Sequence, residues 1–145
     1  MAGASGGDIS GQKMRLAERW PGALWCDFGD SPELSAHLLG LIRSGAKTAT
    51  CGALRDYQAV GDPLPRAGDV MIARDHSGQP ALVYELTEVV IRPFDEVPEE
   101  FALAEGEGDF AAWRAAHEAF FARNGGFSSD MPVVCERFRL IEVLA

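Results

Sequence analysis

The chain predicts a small mixed barrel of the α+β class, on three observations. Helical and strand-like stretches alternate irregularly, without the βαβ rhythm of a parallel sheet. The clearest turn, Asp75-His76-Ser77-Gly78, joins two β patterns as an antiparallel hairpin. No glycine-rich phosphate fingerprint follows any strand, so a doubly wound nucleotide-binding sheet is not expected. At 145 residues, 47% of them hydrophobic, the chain suits one domain with a real core.

Each element has its own signal. Residues 1–12 are rich in glycine, alanine and serine without periodicity and read as a disordered tail; residues 13–145 read as the single domain. Residues 13–20 have helical character, ended by Pro21-Gly22. Ser31 is an N-cap, Pro32 fits the first helical position and Glu33 favours the positive end of the helix dipole. Leu34, Leu38, Leu41 and Ile42 then form an apolar stripe, and Gly45 is suited to the left-handed stop. Strands are expected over 70–74, over 81–91 and over 133–143. In the second, Leu82, Tyr84 and Leu86 share one face and Val83, Glu85 and Thr87 the other. Residues 98–104 allow two helical turns. Asp109 caps a last helix with Phe110, Trp113, His117, Phe120 and Phe121 on its apolar face, ended by Asn124-Gly125.

The totals exclude several function classes. The formal charge of −9 works against non-specific nucleic-acid binding, which depends on neutralised phosphates. No run is long enough to span a bilayer, and no signal peptide is present. Cys26, Cys51 and Cys135 are odd in number and widely spaced, which argues against a disulfide framework and a zinc site and for a reducing cytoplasm. His37, His76 and His117 lie on different elements, so no metal-ligand spacing is found. Neither a cofactor nor a metal is expected.

The candidate chemistry centres on Gly45-Ala46-Lys47-Thr48-Ala49-Thr50, where a helix ends and a strand begins. Lys47 is the only lysine after Lys13; the chain otherwise uses arginine. Lysine loses its proton when buried, arginine does not, and a threonine hydroxyl becomes a nucleophile only beside a base. Strict alternation would put Lys47 and Thr50 on opposite faces, so their cooperation requires irregular backbone at Lys47. An exposed lysine at a helix end is the ordinary alternative. In Glu105-Gly106-Glu107-Gly108-Asp109 the glycines let the backbone turn tightly and aim Glu105 into a pocket beside Lys47, where a carboxylate would hold or exchange its proton. A solvated acidic loop is the plainer reading. His117, alone on an apolar face, reads as a core residue with one hydrogen bond. Trp25 and Phe28 are placed either to stack on a base or simply to pack.

Several stretches together resemble the ASCH domain superfamily, in its larger single-domain bacterial branch. They are Phe28-Gly29-Asp30-Ser31-Pro32-Glu33-Leu34, the Lys47 motif, Pro63-Leu64-Pro65-Arg66-Ala67-Gly68-Asp69, Phe101-Ala102 with the acidic glycine loop, Trp113-Arg114 with His117, and Met131-Pro132-Val133-Val134-Cys135-Glu136-Arg137-Phe138. The resemblance covers roughly residues 20–143. It implies a PUA-like fold, a small mixed, partly open β-barrel flanked by helices with a cleft near the Lys-Thr motif, and it implies RNA or nucleotide binding. Small members of the superfamily hydrolyse the amide of N4-acylated cytidines with a lysine base, a threonine nucleophile and a glutamate partner, which fall on Lys47, Thr50 and Glu105. Another member is a metal-dependent ribonuclease, whose lysine falls on Lys47 and whose serine falls on Ser128 or Ser129. Thr48, Trp25, Ser128, Ser129 and Arg137 are the candidates for substrate contact. This chain is longer than the small amidohydrolases, and its last helix has no clear counterpart in them, so a different substrate is expected.

Three functions follow. An amidohydrolase acting on a modified nucleoside fits the charge best. An RNA-binding module needs a basic face built from Arg43, Arg55, Arg66, Arg74, Arg137 and Arg139. A ribonuclease needs a divalent metal.

Overall fold

A computed structural model describes residues 6–59, 61 and 63–144. The elements run α1 (Gly6–Arg19), β1 (Leu24–Asp27), α2 (Pro32–Ser44), β2 (Ala49–Ala53), α3 (Leu54–Ala59), β3 (Val70–Arg74), β4 (Pro80–Pro93), a short 3₁₀ turn (Phe94–Glu96), α4 (Glu99–Ala104), α5 (Phe110–Arg123) and β5 (Pro132–Val143). The strands form one sheet in the order β1-β3-β4-β5-β2. Only β1 and β3 pair in parallel. Register shifts between Val83 and Tyr84 and between Leu86 and Glu88 interrupt the long β4/β5 ladder. Such irregularities bend and coil a sheet, and here the result is a five-stranded half-barrel with helices packed on it, the PUA-like α+β architecture.

Helix α2 starts and stops where its sequence says. The Ser31 hydroxyl accepts from the Leu34 N–H at 3.1 Å, and Gly45, at φ 85°, donates its N–H to the Ile42 carbonyl. Helix α1 starts earlier than expected. Residues 6–12, assigned to the tail, are helical, and residues 1–5 lie outside the described part. Leu16, buried with Ile72 and Val83, seats this helix. Extending a seated helix needs only propagation, so even a glycine-containing stretch is carried along.

Strand alternation sorts the core. One face of the sheet packs Tyr84, Leu86 and Phe138 against Phe28 and against Leu38, Leu39 and Ile42 of α2. The other face packs Ala49, Ala53, Val133 and Cys135 against Phe94, Phe101, and Trp113 and Phe121 of α5. Trp113 stacks on Phe94 with ring centroids 5.3 Å apart. Strand β2 lies at the sheet edge, between these two packed layers.

Because α2 carries the Lys47 turn at its end, its seating controls the site. Ile42→Ala is expected to cost about 2–5 kcal/mol through the cavity it leaves, and Ser31→Ala about 1 kcal/mol through the lost cap. Urea denaturation measures both.

Candidate functional site

The backbone fixes Lys47 before its side chain does anything. Its N–H reaches the Leu41 carbonyl at 3.1 Å, and the next N–H, of Thr48, reaches Ala104 at the end of α4 at 2.8 Å. The Thr48 carbonyl accepts from Phe138 of β5. The turn is thus tied to α2, α4 and β5 at once.

Within this frame Lys47 is 2% exposed and Glu105 is 1% exposed. The Lys47 ammonium donates to the Ala49 carbonyl at 2.8 Å and to Glu105 Oε1 at 3.0 Å. Glu107 Oε2 lies 3.6 Å away. Glu105 Oε2 accepts from the Trp113 indole at 2.8 Å. Burial works to raise the Glu105 carboxyl, but Lys47, His117 and the indole outweigh it and hold it at about 2. Burial, with Glu105 as a further cause, raises Glu107.

Gly106 makes this approach possible. At φ 75°, a Cβ on it would stand 2.4 Å from the Ala46 carbonyl oxygen, so the acidic loop lies directly on the Lys47 turn. The tight turn anticipated around Glu105 is therefore present, with Gly106 as the residue in contact.

His117 does more than fill the core. Its Nδ1 lies 2.9 Å from the Trp113 carbonyl, which can only accept, so Nδ1 carries a hydrogen. Its Nε2 then faces Glu105 Oε1 at 3.5 Å. A neutral ring would aim a lone pair at a carboxylate; protonation turns it into a donor. Burial opposes that charge, but Glu105 prevails and raises His117.

Thr50 belongs to a different face. It sits opposite Glu136 across the β2/β5 ladder, while its neighbour Cys51 sits opposite Cys135 on the Glu105 side. Among the described residues nothing hydrogen-bonds the half-buried Thr50 hydroxyl, and no hydrogen bond joins it to Lys47. The irregular backbone that their cooperation requires is present, since β2 begins only at Ala49. It turns the lysine toward Glu105 rather than toward the threonine.

The remaining candidates are scattered. The Thr48 hydroxyl reaches the Ala104 carbonyl at 3.4 Å. Trp25 lies on β1, at the opposite edge of the sheet from β2, between Lys13 and Arg74, whose charges stand 5.7 and 5.9 Å from its ring. Ser128 is exposed and bonds Asp130, and Ser129 is also exposed. Arg137 pairs with Glu100 at 3.2 Å and Glu88 at 3.4 Å. A cavity of about 440 Å³ is lined by Lys13, Asp27, Phe28, Ser35, Arg74 and His76 among others, and by none of Lys47, Thr50 and Glu105.

Cys51, Glu105 and His117 place one ligand atom each within 4.8 Å of one another. A thiol, an imidazole and a carboxylate suit a soft ion better than the hard divalent ions that prefer oxygen. Both Glu105 oxygens are already engaged, one by an ammonium, and burial together with Glu105 raises the Cys51 thiol far above its usual range. With the carboxylate so engaged and the thiol held protonated, the set does not fit a metal ion. Sequence reasoning missed the group it did not combine: His117, Trp113 and Glu107 join Lys47 and Glu105. The i,i+4 spacing of Trp113 and His117, one turn apart on α5, was the available signal.

The cluster sets a pH window. Glu105 contributes stability that is full above its ordinary value of 4.5 and is lost as pH falls toward about 2. His117 contributes stability that is full below 6.5 and is lost as pH rises through its higher folded value. Lys47→Met strands a buried carboxylate and is expected to cost about 3–5 kcal/mol. Lys47→Met with Glu105→Gln should cost clearly less than the two single changes summed. Gly106→Ala should exceed the usual penalty of about 1 kcal/mol for a left-handed alanine, because a backbone carbonyl blocks the methyl group. Denaturant melts between pH 2 and 9 test the set.

Comparison with known proteins agrees with the architecture. The ASCH domain family model matches residues 24–142. Protein EF3133 from Enterococcus faecalis is 32% identical, with a TM-score of 0.79 over 93% of this chain and 88% of that one. An ASCH domain from Lactobacillus crispatus is 28% identical, with a TM-score of 0.75 over 91% and 87%. ASCH from Zymomonas mobilis shares the fold at 12% identity and a TM-score of 0.51, over 81% of this chain and 65% of that one. No protein with a curated description matches the sequence. Among the described residues no helix is long and apolar enough to cross a membrane. The chain belongs to the ASCH domain family.

Proposed function

We propose that this ASCH protein hydrolyses the acyl amide of a modified nucleoside, of the N4-acylated cytidine type, with Thr50 as the nucleophile. The observation that carries this reading is the combination of a buried ion pair and an uncommitted hydroxyl on one short strand. Lys47 and Glu105 clamp the start of β2 through the Ala49 carbonyl, and the next residue along, Thr50, has its hydroxyl free of any hydrogen bond. A fixed strand positions a nucleophile, and an unengaged hydroxyl leaves it available to a base.

The base role expected for Lys47 changes in this reading. It donates to the Ala49 carbonyl and to Glu105, with Glu107 3.6 Å away, and among the described residues no hydrogen bond joins it to Thr50. Lys47 acts as a fixed cation that positions β2, and Glu105 acts as its counter-charge. A small acyl substrate is favoured over a nucleic-acid polymer by the fate of the arginines. Arg74 pairs with Asp27, Arg137 with Glu88 and Glu100, and Arg139 with Glu85, while Arg55 donates to the carbonyls of Asn124 and Gly126. Paired arginines leave little basic face for phosphates. The ribonuclease alternative is disfavoured because, in the ligand set found among the described residues, the Glu105 carboxylate is already bonded by the Lys47 ammonium.

Acetate release from N4-acetylcytidine tests the reading. Thr50→Ala is expected to lower kcat/KM by about a thousandfold or more, with the melting curve unchanged, and Thr50→Ser to retain part of the activity. Absence of turnover on every N4-acylcytidine tried with the intact protein removes the proposal. Salt-sensitive binding of single-stranded RNA in the same protein would replace it with the polymer reading.

A further inference from the structure

We propose that Glu136 is the proton carrier of this site, taking the Thr50 hydroxyl proton during attack and returning it to the leaving nitrogen. This rests on the amidohydrolase reading and supplies the base that Lys47 does not.

The geometry comes from the ladder. Thr50 and Glu136 are direct partners across β2 and β5, so both side chains leave the same face, with Cβ atoms about 4.5–5.5 Å apart. Glu136 is 3% exposed, an unusual place for a carboxyl group with no arginine or lysine in contact. Its Oε2 accepts a hydrogen bond of 2.7 Å from the Tyr57 hydroxyl. Among the described residues no group is bonded to its other oxygen, and that oxygen is not among the fully enclosed unpartnered atoms. Gly52, the next residue of β2 on this face, makes room for the tyrosine. A Cβ there would stand 3.1 Å from the Tyr57 ring and 3.2 Å from its hydroxyl. The sequence thus places a hydroxyl, a carboxyl with one oxygen uncommitted and an orienting phenol on one side of two adjacent strands.

The surroundings set how this carboxyl titrates. Burial raises it, while the Tyr57 hydrogen bond and the more distant charge of Lys47 pull it down, leaving it above 4.5. From β4 and β1 it faces the Tyr84 hydroxyl and the Cys26 thiol, which lie 3.1 Å from one another and are both held neutral by burial. From β2 it faces Thr50. A carboxyl raised in this way holds a proton more firmly than a solvated glutamate, which suits transfer in both directions.

The step balances. The Glu136 carboxylate takes the Thr50 proton as Oγ bonds to the acyl carbon. The C–N bond then breaks, the nitrogen takes that proton from Glu136 and leaves as the free amine, and the acyl group remains as a threonine ester. Water attacks the ester by the same route, giving its proton to Glu136, which returns it to Thr50 Oγ as the acid departs. Neither oxidant nor metal is required. Lys47 sits across β2 from this chemistry and acts on it only through its charge.

The experiment uses the intact protein and two readouts. In acetate release from N4-acetylcytidine, Glu136→Gln is expected to lower kcat about 100-fold or more, because glutamine keeps the Tyr57 hydrogen bond but cannot carry a proton. Tyr57→Phe should keep most of the activity and move the acid limb of the pH–rate profile to higher pH, since it removes a bond that lowers Glu136. A packing role alone would leave that limb in place. If Thr50→Ala abolishes turnover while Glu136→Gln keeps both rate and pH profile, the Glu136 assignment is overturned and the amidohydrolase reading stands. If the unaltered protein turns over no N4-acylcytidine, that reading falls. Acetylation of Thr50 by p-nitrophenyl acetate, followed by mass spectrometry, then decides on Glu136 alone. Acetylation that rises through a titration above pH 4.5 and is lost in Glu136→Gln upholds the pair; equal acetylation in both proteins, or none at Thr50, overturns it.

Discussion

The enclosed contact between Lys47 and Glu105 is the constraint on which the rest of this molecule hangs. Two opposite charges are taken out of water together, 3.0 Å apart. Desolvation alone makes such a pair a poor source of net stability, and removal of one member far worse than removal of both. What the pair provides is position. One end is fixed to the Ala49 carbonyl, the other to the Trp113 indole, and between them they join the edge strand β2 to α5. The stacked rings of Phe94, Trp113 and His117 meet the pair through the indole and the imidazole, and both charged side chains are enclosed. The acidic loop, lying on the backbone of the lysine turn, completes the enclosure.

Much of this frame is written locally. The caps of α2 and α5, the alternation in β4 and the hairpin before it each follow from a few neighbouring residues, and the structure has them where those residues imply. The nearness of Glu105 to Lys47 was readable too, because two glycines around a carboxylate signal a backbone bent for a purpose. Other parts were not readable, for a common reason. His117 looks like a core residue on its own helix, and only the arrival of Glu105 from another segment gives its second nitrogen a partner. The pairing of Thr50 with Glu136 depends on which strand joins β2 and in which register, and a one-residue slip would exchange the faces completely. Helix α1 begins before the periodic residues do, because a helix seated at one end can extend through residues that would not start one.

The two faces of β2 divide the work. On one lie Cys51 and the charged pair, sealed beneath α5; on the other lie Thr50 and Glu136, beside Tyr57 and the α2 layer. A single short strand therefore separates the buried ion pair from Thr50 and Glu136. Lys47 is felt by carboxyls on both sides, lowering each, although it touches only one. Such an arrangement lets the structural charge remain dry while its influence reaches Glu136 on the other face, which is how preorganised electrostatics operates in a low-dielectric interior.

The sheet order carries one further consequence. Among the described residues β2 has one strand neighbour, β5, with paired residues 80 to 88 positions apart in the chain. As the polypeptide leaves the ribosome, the segment bearing Thr50 must wait, its edge unpaired, until nearly everything else described here has been synthesised. Contacts of such wide sequence separation are slow to close. The strand that completes the sheet is also the one that delivers Glu136, so a chain halted before residue 132 carries Thr50 without its cross-strand partner.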